Sequence, residues 1–264
     1  MNGDFPLRQN YERVLARIDR ACEAAGRPRG SVQLLAVSKT FPASDVLALA
    51  ALGQRAFGEN YVQEALDKIA ACRDERPEAG ATDETGSRQA TGGAQRSAPL
   101  EWHFIGPIQS NKTRPIAEHF DWVHSVDREK IARRLAQQRP AARGALQVCV
   151  QVNVSGEASK SGVPPGEALA LARLCASLPG LQLRGFAAIP EPTDDPALQR
   201  RRFAELRALH DAVRAALDPQ AAERFDTLSM GMSADMESAI AEGATIVRIG
   251  TALFGERPSS RRAS

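Results

Sequence analysis

Lys39 closes the run Leu34-Leu35-Ala36-Val37-Ser38-Lys39-Thr40. A short apolar run bounded by polar residues reads as a buried strand of a parallel sheet. Pro42 and Asp45 follow, then Val46, Leu47, Leu49 and Leu52 at helical spacing, so the chain turns from strand to helix just after the lysine. In α/β folds the carboxyl ends of strands carry the chemistry. A lysine there can lie in a pocket, shed its proton and attack a carbonyl to form a Schiff base; a solvated loop lysine is the plainer alternative. Two later stretches offer a different chemistry. Thr227-Leu228-Ser229-Met230-Gly231-Met232-Ser233 and Arg248-Ile249-Gly250-Thr251 each put hydroxyls and a glycine at a strand end that opens a helix. Exposed amides and a helix N-terminus there favour a phosphate. Ser233 also suits a helix N-cap, the reading we favour for it.

Arg248 sits in the otherwise apolar strand Thr245-Ile246-Val247-Arg248-Ile249. A buried guanidinium is costly without an acceptor, and the alternatives are a strand carboxylate or a ligand. A Schiff-base lysine after the first strand, a phosphate cradle after the last two and an arginine in the last strand together describe a site for pyridoxal 5′-phosphate (PLP). The aldehyde would go to Lys39, the phosphate to Ser229, Gly250 and Thr251, and the pyridine nitrogen to Arg248. Asn60, in Phe57-Gly58-Glu59-Asn60, stands at another strand end; its position suits a helix N-cap better than a ligand contact. His103 and His124 fall in strands and read as hydrogen-bonded core histidines, with a ligand contact by His103 as the sharper option.

The elements that must position these residues follow a regular plan. An amphipathic helix carrying Leu7, Tyr11, Val14, Leu15, Ile18 and Cys22 comes first. About eight strands then alternate with helices, which at 264 residues argues for one (β/α)8 barrel spanning residues 1–264, with an extra N-terminal helix and without a C-terminal β domain. A doubly wound sheet is the alternative, but no G-x-G-x-x-G follows the first strand. The helix after Asn60 should turn Val62, Ala65, Leu66 and Ile69 inward. Residues 73–99 hold hardly a large apolar side chain and read as a disordered insertion, and 256–264 as a frayed tail. In the strand 146–154, Gln147, Gln151 and Asn153 share a face with Cys149, which suggests a barrel interior that holds a polar ligand, or a hydrogen-bonded core network that would look the same.

Composition excludes several classes. With 34 basic against 32 acidic residues and a net charge of +2, nothing argues for nucleic acid or an anionic membrane. No run reaches the length of a membrane span, and the N-terminus has no signal core, so a cytoplasmic location is expected. The four scattered cysteines read as reduced core thiols, and the four histidines lack metal-ligand spacing; no metal is expected.

The chain resembles the pyridoxal phosphate homeostasis protein family, whose fold is like the N-terminal barrel of alanine racemase. The resemblance is carried by Leu35-Ala36-Val37-Ser38-Lys39, Phe57-Gly58-Glu59-Asn60-Tyr61, Trp102-His103-Phe104-Ile105-Gly106, Gln109-Ser110-Asn111-Lys112, Val152-Asn153, Ser159-Lys160-Ser161-Gly162, Ser229-Met230-Gly231-Met232-Ser233 with Asp235-Met236, and Val247-Arg248-Ile249-Gly250-Thr251. It runs nearly the whole length in order; the insertion and the polar tail depart from it. It implies that Lys39 is the PLP lysine, that Asn60 lines the cofactor and that Ser229, Gly250 and Thr251 hold its phosphate. It further implies a carrier that buffers PLP or delivers it to PLP-dependent client enzymes, with no catalytic residues of its own, and a monomer is the natural expectation. A PLP-dependent amino-acid racemase is the alternative. It would need a second proton-transfer group opposite Lys39, and of the two tyrosines, Tyr11 and Tyr61, only Tyr61 is placed near the site. A Schiff-base aldolase acting on a sugar phosphate without a cofactor is a third reading, and the sequence offers it no acid–base pair.

Overall fold

A computed structural model describes residues 4–75, 98–155 and 161–255. The proposed insertion from 76 to 97, the tail from 256 and the motif residues Ser159 and Lys160 lie outside the described residues. Eight parallel strands close a barrel in chain order: β1 (Gln33–Val37), β2 (Ala56–Glu59), β3 (Glu101–Phe104), β4 (Trp122–Val126), β5 (Leu146–Gln151), β6 (Leu181–Ala187), β7 (Thr227–Ser229) and β8 (Ile246–Ile249). The seam is the β1–β8 pairing, from Gln33 opposite Ile246 to Ala36 opposite Ile249. The (β/α)8 architecture expected from the alternating pattern is therefore present.

Around the barrel run α2 (Ala43–Ala51), α3 (Val62–Asp74), α4 (Thr113–His119), α5 (Glu129–Gln138), α6 (Ala168–Ser177), α7 (Pro196–Ala216), a short α8 (Pro219–Arg224) not read from the sequence, α9 (Met236–Ala241) and the one-turn α10 (Thr251–Phe254). The opening helix α1 (Asp4–Ala24) packs on α9, α10 and α2. It fills the part of the helical ring that one turn of α10 cannot cover. The helix α3 runs to Asp74, two residues into the segment expected to be an insertion. No described helix is long and apolar enough to cross a membrane.

Period-two alternation sorts the strand side chains. Leu34, Ala36, Phe57, Val123, Val148, Phe186 and Val247 join the layer under the helices. Leu35, Ala56, Trp122, Cys149, Ala187 and Ile246 form a second cluster, filling the barrel itself. The β5–β6 register slips between Val148 opposite Leu183 and Cys149 opposite Gly185, so Arg184 is the extra residue of a bulge. Gly185 permits it: a Cβ there would lie 1.9 Å from the Thr227 carbonyl oxygen. Arg184 lies over the Trp122 ring at 4.9 Å, pairs with Asp226 at 2.7 Å and donates to Gln147 Oε1 at 3.1 Å. This cluster occupies the N-terminal end of the barrel. All four cysteines are buried and outside any disulfide, and burial pushes Cys149 and Cys175 up to about 12.

Candidate functional site at the barrel mouth

Lys39 lies two residues beyond β1, half-buried, at the C-terminal mouth. Extending the β1–β2 register by two residues from Val37 opposite Gly58 sets Lys39 opposite Asn60. On the other side of β1, Ala36 pairs with Ile249, which brings Gly250 and Thr251 to the same edge. Three neighbouring strands thus bring together the amine, the amide and the last helix start that the sequence singled out.

Beneath Lys39 is a charged cluster that sequence reasoning missed. The inner face of α3 is Ala65, Lys68, Ile69 and Cys72; Leu66, expected there, is only half-buried. The Lys68 ammonium spends its three N–H groups on the Ser38 carbonyl at 2.8 Å, Glu59 Oε1 at 2.6 Å and Glu64 Oε1 at 3.1 Å. The Ser38 hydroxyl also donates to Glu59 Oε1 at 2.6 Å. Glu59 is fully buried; desolvation raises its pKa, opposed by Lys68 and the Ser38 hydrogen bond. Glu64 reaches further and accepts the Thr40 amide at 2.5 Å. Thr40 has φ +70°, alone among the described non-glycine residues in being left-handed, and such strain in a β-branched residue needs support from its surroundings. The network supplies that support one residue after Lys39. The Glu64–Lys68 pair at i,i+4, with Ala65 and Ile69 beside it, was the available sequence signal.

Asn60 is not a helix cap. The cap position of α3 is Tyr61, which makes no side-chain cap bond, because the helix starts one residue later than Asn60 would require. Asn60 Oδ1 is instead buried with no partner among the described residues. Gly106 lets the Asn60 backbone come close: a Cβ there would come within 2.4 Å of the Asn60 carbonyl oxygen. A buried acceptor without a donor is costly.

Arg248 is buried on β8. No carboxylate among the described residues hydrogen-bonds it. Its guanidinium donates to the Ser229 carbonyl at 2.6 Å, the Ser229 hydroxyl at 2.7 Å and the Ala188 carbonyl at 2.8 Å. Burial lowers its pKa to about 10, with Asp235 acting in the opposite direction. The Ser229 hydroxyl also meets His124 Nδ1 at 2.8 Å; His124 Nε2 meets His103 Nδ1 at 2.9 Å, and His103 Nε2 meets Glu101 Oε1 at 2.7 Å. The two core histidines are therefore links in one polar row along the barrel interior. That row requires the register of four strands and was not legible from any one of them. A phosphate could engage Ser229 only by drawing its hydroxyl away from His124.

The Ser233 cap reading fails. The helix α9 begins at Met236 after Asp235, with no side-chain cap, and Asp235 Oδ1 takes the Met232 amide at 2.6 Å. Of the two expected cradles, the one at Gly250 and Thr251 keeps the opening amides of a helix, which have no intrahelical partner. Tyr61 is 56% exposed. Tyr11 is buried and hydrogen-bonded at 3.5 Å to Gln54, which precedes β2 at the opposite end of the barrel.

An amine, a buried orphan acceptor, a guanidinium without a carboxylate and a helix start at one mouth can receive an anionic aromatic aldehyde. Residues 9–258 match the family profile described as alanine racemase, N-terminal domain. The chain is 54% identical over 258 residues to the pyridoxal phosphate homeostasis protein of Pseudomonas aeruginosa, covering 98% of this chain and 99% of that one. It is 51% identical over 260 residues to the protein of the same name from Vibrio cholerae, covering 97% and 99%. Among solved structures it resembles PipY of Synechococcus elongatus with PLP bound, with TM-score 0.69, 36% identity and coverage of 90% and 99%. Alanine racemase of Corynebacterium glutamicum, at 16% identity, TM-score 0.61 and coverage of 94% and 62%, shares the fold.

Proposed function

The chain belongs to the pyridoxal phosphate homeostasis protein family, and from that premise we propose that it holds PLP at its barrel mouth, as a Schiff base on Lys39, and acts as a carrier without catalytic turnover. When bound, PLP supplies an electrophilic aldehyde on a pyridine ring that carries a hydroxyl and a phosphate. Lys39 provides the amine. Asn60 offers its Oδ1 to a ligand hydroxyl. Arg248 faces the ring nitrogen as a permanent donor, which disfavours a protonated ring and weakens it as an electron sink. Gly250 and Thr251 take the phosphate at the start of α10, with Ser229 beside them. The observation that carries this reading is the buried Asn60 Oδ1, one residue beyond β2, which has no hydrogen-bond donor among the described residues.

Tyr61 is what a racemase reading depends on. Its exposure supports the carrier, because a proton-transfer group must be held against the reacting carbon and away from water. The proposal includes a cytoplasmic monomer whose open mouth exchanges PLP with client enzymes.

The test is an absorption spectrum with added PLP, before and after borohydride, with mass spectrometry of the peptide holding Lys39. An imine band that bleaches, a pyridoxyl adduct on Lys39, and loss of both in Lys39→Ala are expected. Absence of the band, or an adduct confined to other lysines, overturns the proposal. Racemisation by the native chain that Tyr61→Phe abolishes would restore the enzyme reading.

A further inference from the structure

Lys39 lies inside a tight turn. The Phe41 amide donates to the Ser38 carbonyl at 3.1 Å. That bond closes a four-residue turn from Ser38 to Phe41, with Lys39 second and Thr40 third. A left-handed third residue belongs to one class of such turns, and Thr40 has φ +70°. The backbone that carries Lys39 is thereby tied to Phe41.

Both ends of this segment rest on α10. Before the turn, Gly250 packs on the end of β1: a Cβ there would lie 3.3 Å from the Val37 carbonyl oxygen and 3.5 Å from Val37 Cβ. After the turn, the buried Phe41 ring stacks on Phe254, with centroids 4.7 Å apart and planes at 22°. Gly250 precedes α10 and Phe254 ends it, so one helical turn bridges Ser38, Lys39 and Thr40. Four residues of helix are not stable alone, and other contacts fix α10. Leu253 is fully buried, and Asn10 of α1 donates to its carbonyl at 3.0 Å. The left-handed Gly255, φ +83°, closes the far end by donating to the Thr251 carbonyl at 2.9 Å. Phe254 carries that anchorage to the Lys39 turn.

We propose that the Phe41–Phe254 stack is a positioning contact for Lys39: it holds the Ser38–Phe41 turn in the orientation that presents the amine to an aldehyde at the mouth. The inference rests on the reading that Lys39 is the amine that reacts. In that reaction the amine nitrogen adds to the aldehyde carbon, and both its hydrogens leave with the aldehyde oxygen as water.

Neither phenyl ring can exchange a proton, so the effect of the stack runs through the backbone of the turn and concerns orientation. It is separate from the charged support on the other side of β1. There Lys68 and Glu64 of α3 hold the turn at the Ser38 carbonyl and the Thr40 amide. Phe254 holds it from the β8 side, at Phe41. A variant of Phe254 keeps every charged contact and removes the aromatic one alone.

The test times imine formation at Lys39 by absorbance, with PLP and with pyridoxal, which lacks the phosphate. Phe254→Leu keeps an apolar side chain and loses the stack. Its rate should fall by about three- to tenfold with both aldehydes, the range that one aromatic pair supplies. Phe254→Tyr keeps the ring and should restore the native rate. Phe41→Leu combined with Phe254→Leu should cost no more than either change alone, because the stack is lost only once. A loss confined to PLP would place the effect at the phosphate and overturn the proposal. So would an unchanged rate in Phe254→Leu, or a slow rate that Phe254→Tyr fails to restore. Without any ligand, the Phe41 amide should exchange with deuterium faster in Phe254→Leu by a similar factor; unchanged exchange also overturns the proposal. If the native chain forms no imine at Lys39, the cofactor reading has failed, and the exchange of the Phe41 amide still decides whether the stack holds the turn.

Discussion

The two sides of the barrel mouth neutralise a buried cation in opposite ways. On the β1–β2 side, Lys68 meets Glu59 and Glu64 and one carbonyl, so every N–H has an acceptor and two of the three acceptors are carboxylates. On the β7–β8 side, Arg248 meets two carbonyls and a hydroxyl, with no carboxylate among its hydrogen-bond partners. The first arrangement cancels its charge locally and leaves a rigid base for the Lys39 loop. The second leaves the guanidinium charge unpaired by a carboxylate hydrogen bond on the side of the proposed phosphate cradle. Depth of burial alone would have marked Lys68, 5% exposed, as the more unusual lysine. Its partners mark it as structural, whereas Lys39 is half-buried and is the amine of the proposed site.

Breaking the carboxylate side should have the largest effect. Lys68→Met leaves Glu59 buried without its cation, and loss of one member of such a pair costs about 3–5 kcal/mol, readable as a lower urea midpoint. The deficit should depend on pH. A raised carboxyl pKa means that the folded chain holds the proton more tightly than the unfolded one, so stability falls as pH rises through the folded value. Removing Lys68 raises Glu59 further, so the deficit should be full at pH 8 and shrink as pH drops toward the unfolded glutamate value of about 4.3. A deficit independent of pH would mean that Glu59 is not the group left stranded.

Arg248→Met should cost less stability, because it strands neutral acceptors rather than a charge; about 1–3 kcal/mol is expected. Its affinity for PLP should fall tenfold or more while Lys39 remains trappable by borohydride. If this variant unfolds more readily than Lys68→Met, the contrast between the two sides is wrong.

The smallest effect belongs to Thr40→Gly. Relief of the left-handed threonine and the added freedom of glycine in the unfolded chain each amount to about 1 kcal/mol and oppose one another, so the urea midpoint should barely move. The rate of adduct formation at Lys39 should fall, because the adjoining backbone is less restrained. An unchanged rate would detach the Glu64–Thr40 contact from the placement of Lys39.

Much of this organisation was readable before any coordinates. The run ending in Lys39 and the lone Arg248 in an apolar strand are local patterns, and strand–helix alternation located both at the barrel. Other features required contacts between distant segments. Asn60 resembles a cap until the helix is seen to begin one residue later. Lys68 looks like a solvated helix lysine until Ala65 and Ile69 are known to face the strands. His103, His124 and Ser229 belong to three strands, and only the closed register joins them. Periodicity reports which face a residue occupies; it does not report which residue lies across from it.

The β1–β8 seam carries a consequence for how the site comes into being. Lys39 follows the first strand and Gly250 the last, so the proposed site does not exist until the ends of the barrel meet. During synthesis nearly the whole chain must emerge before the two halves of the site are joined, and contacts so distant in sequence form slowly. A ligand bridging them would favour only the closed ring, clasping the barrel at the joint made last.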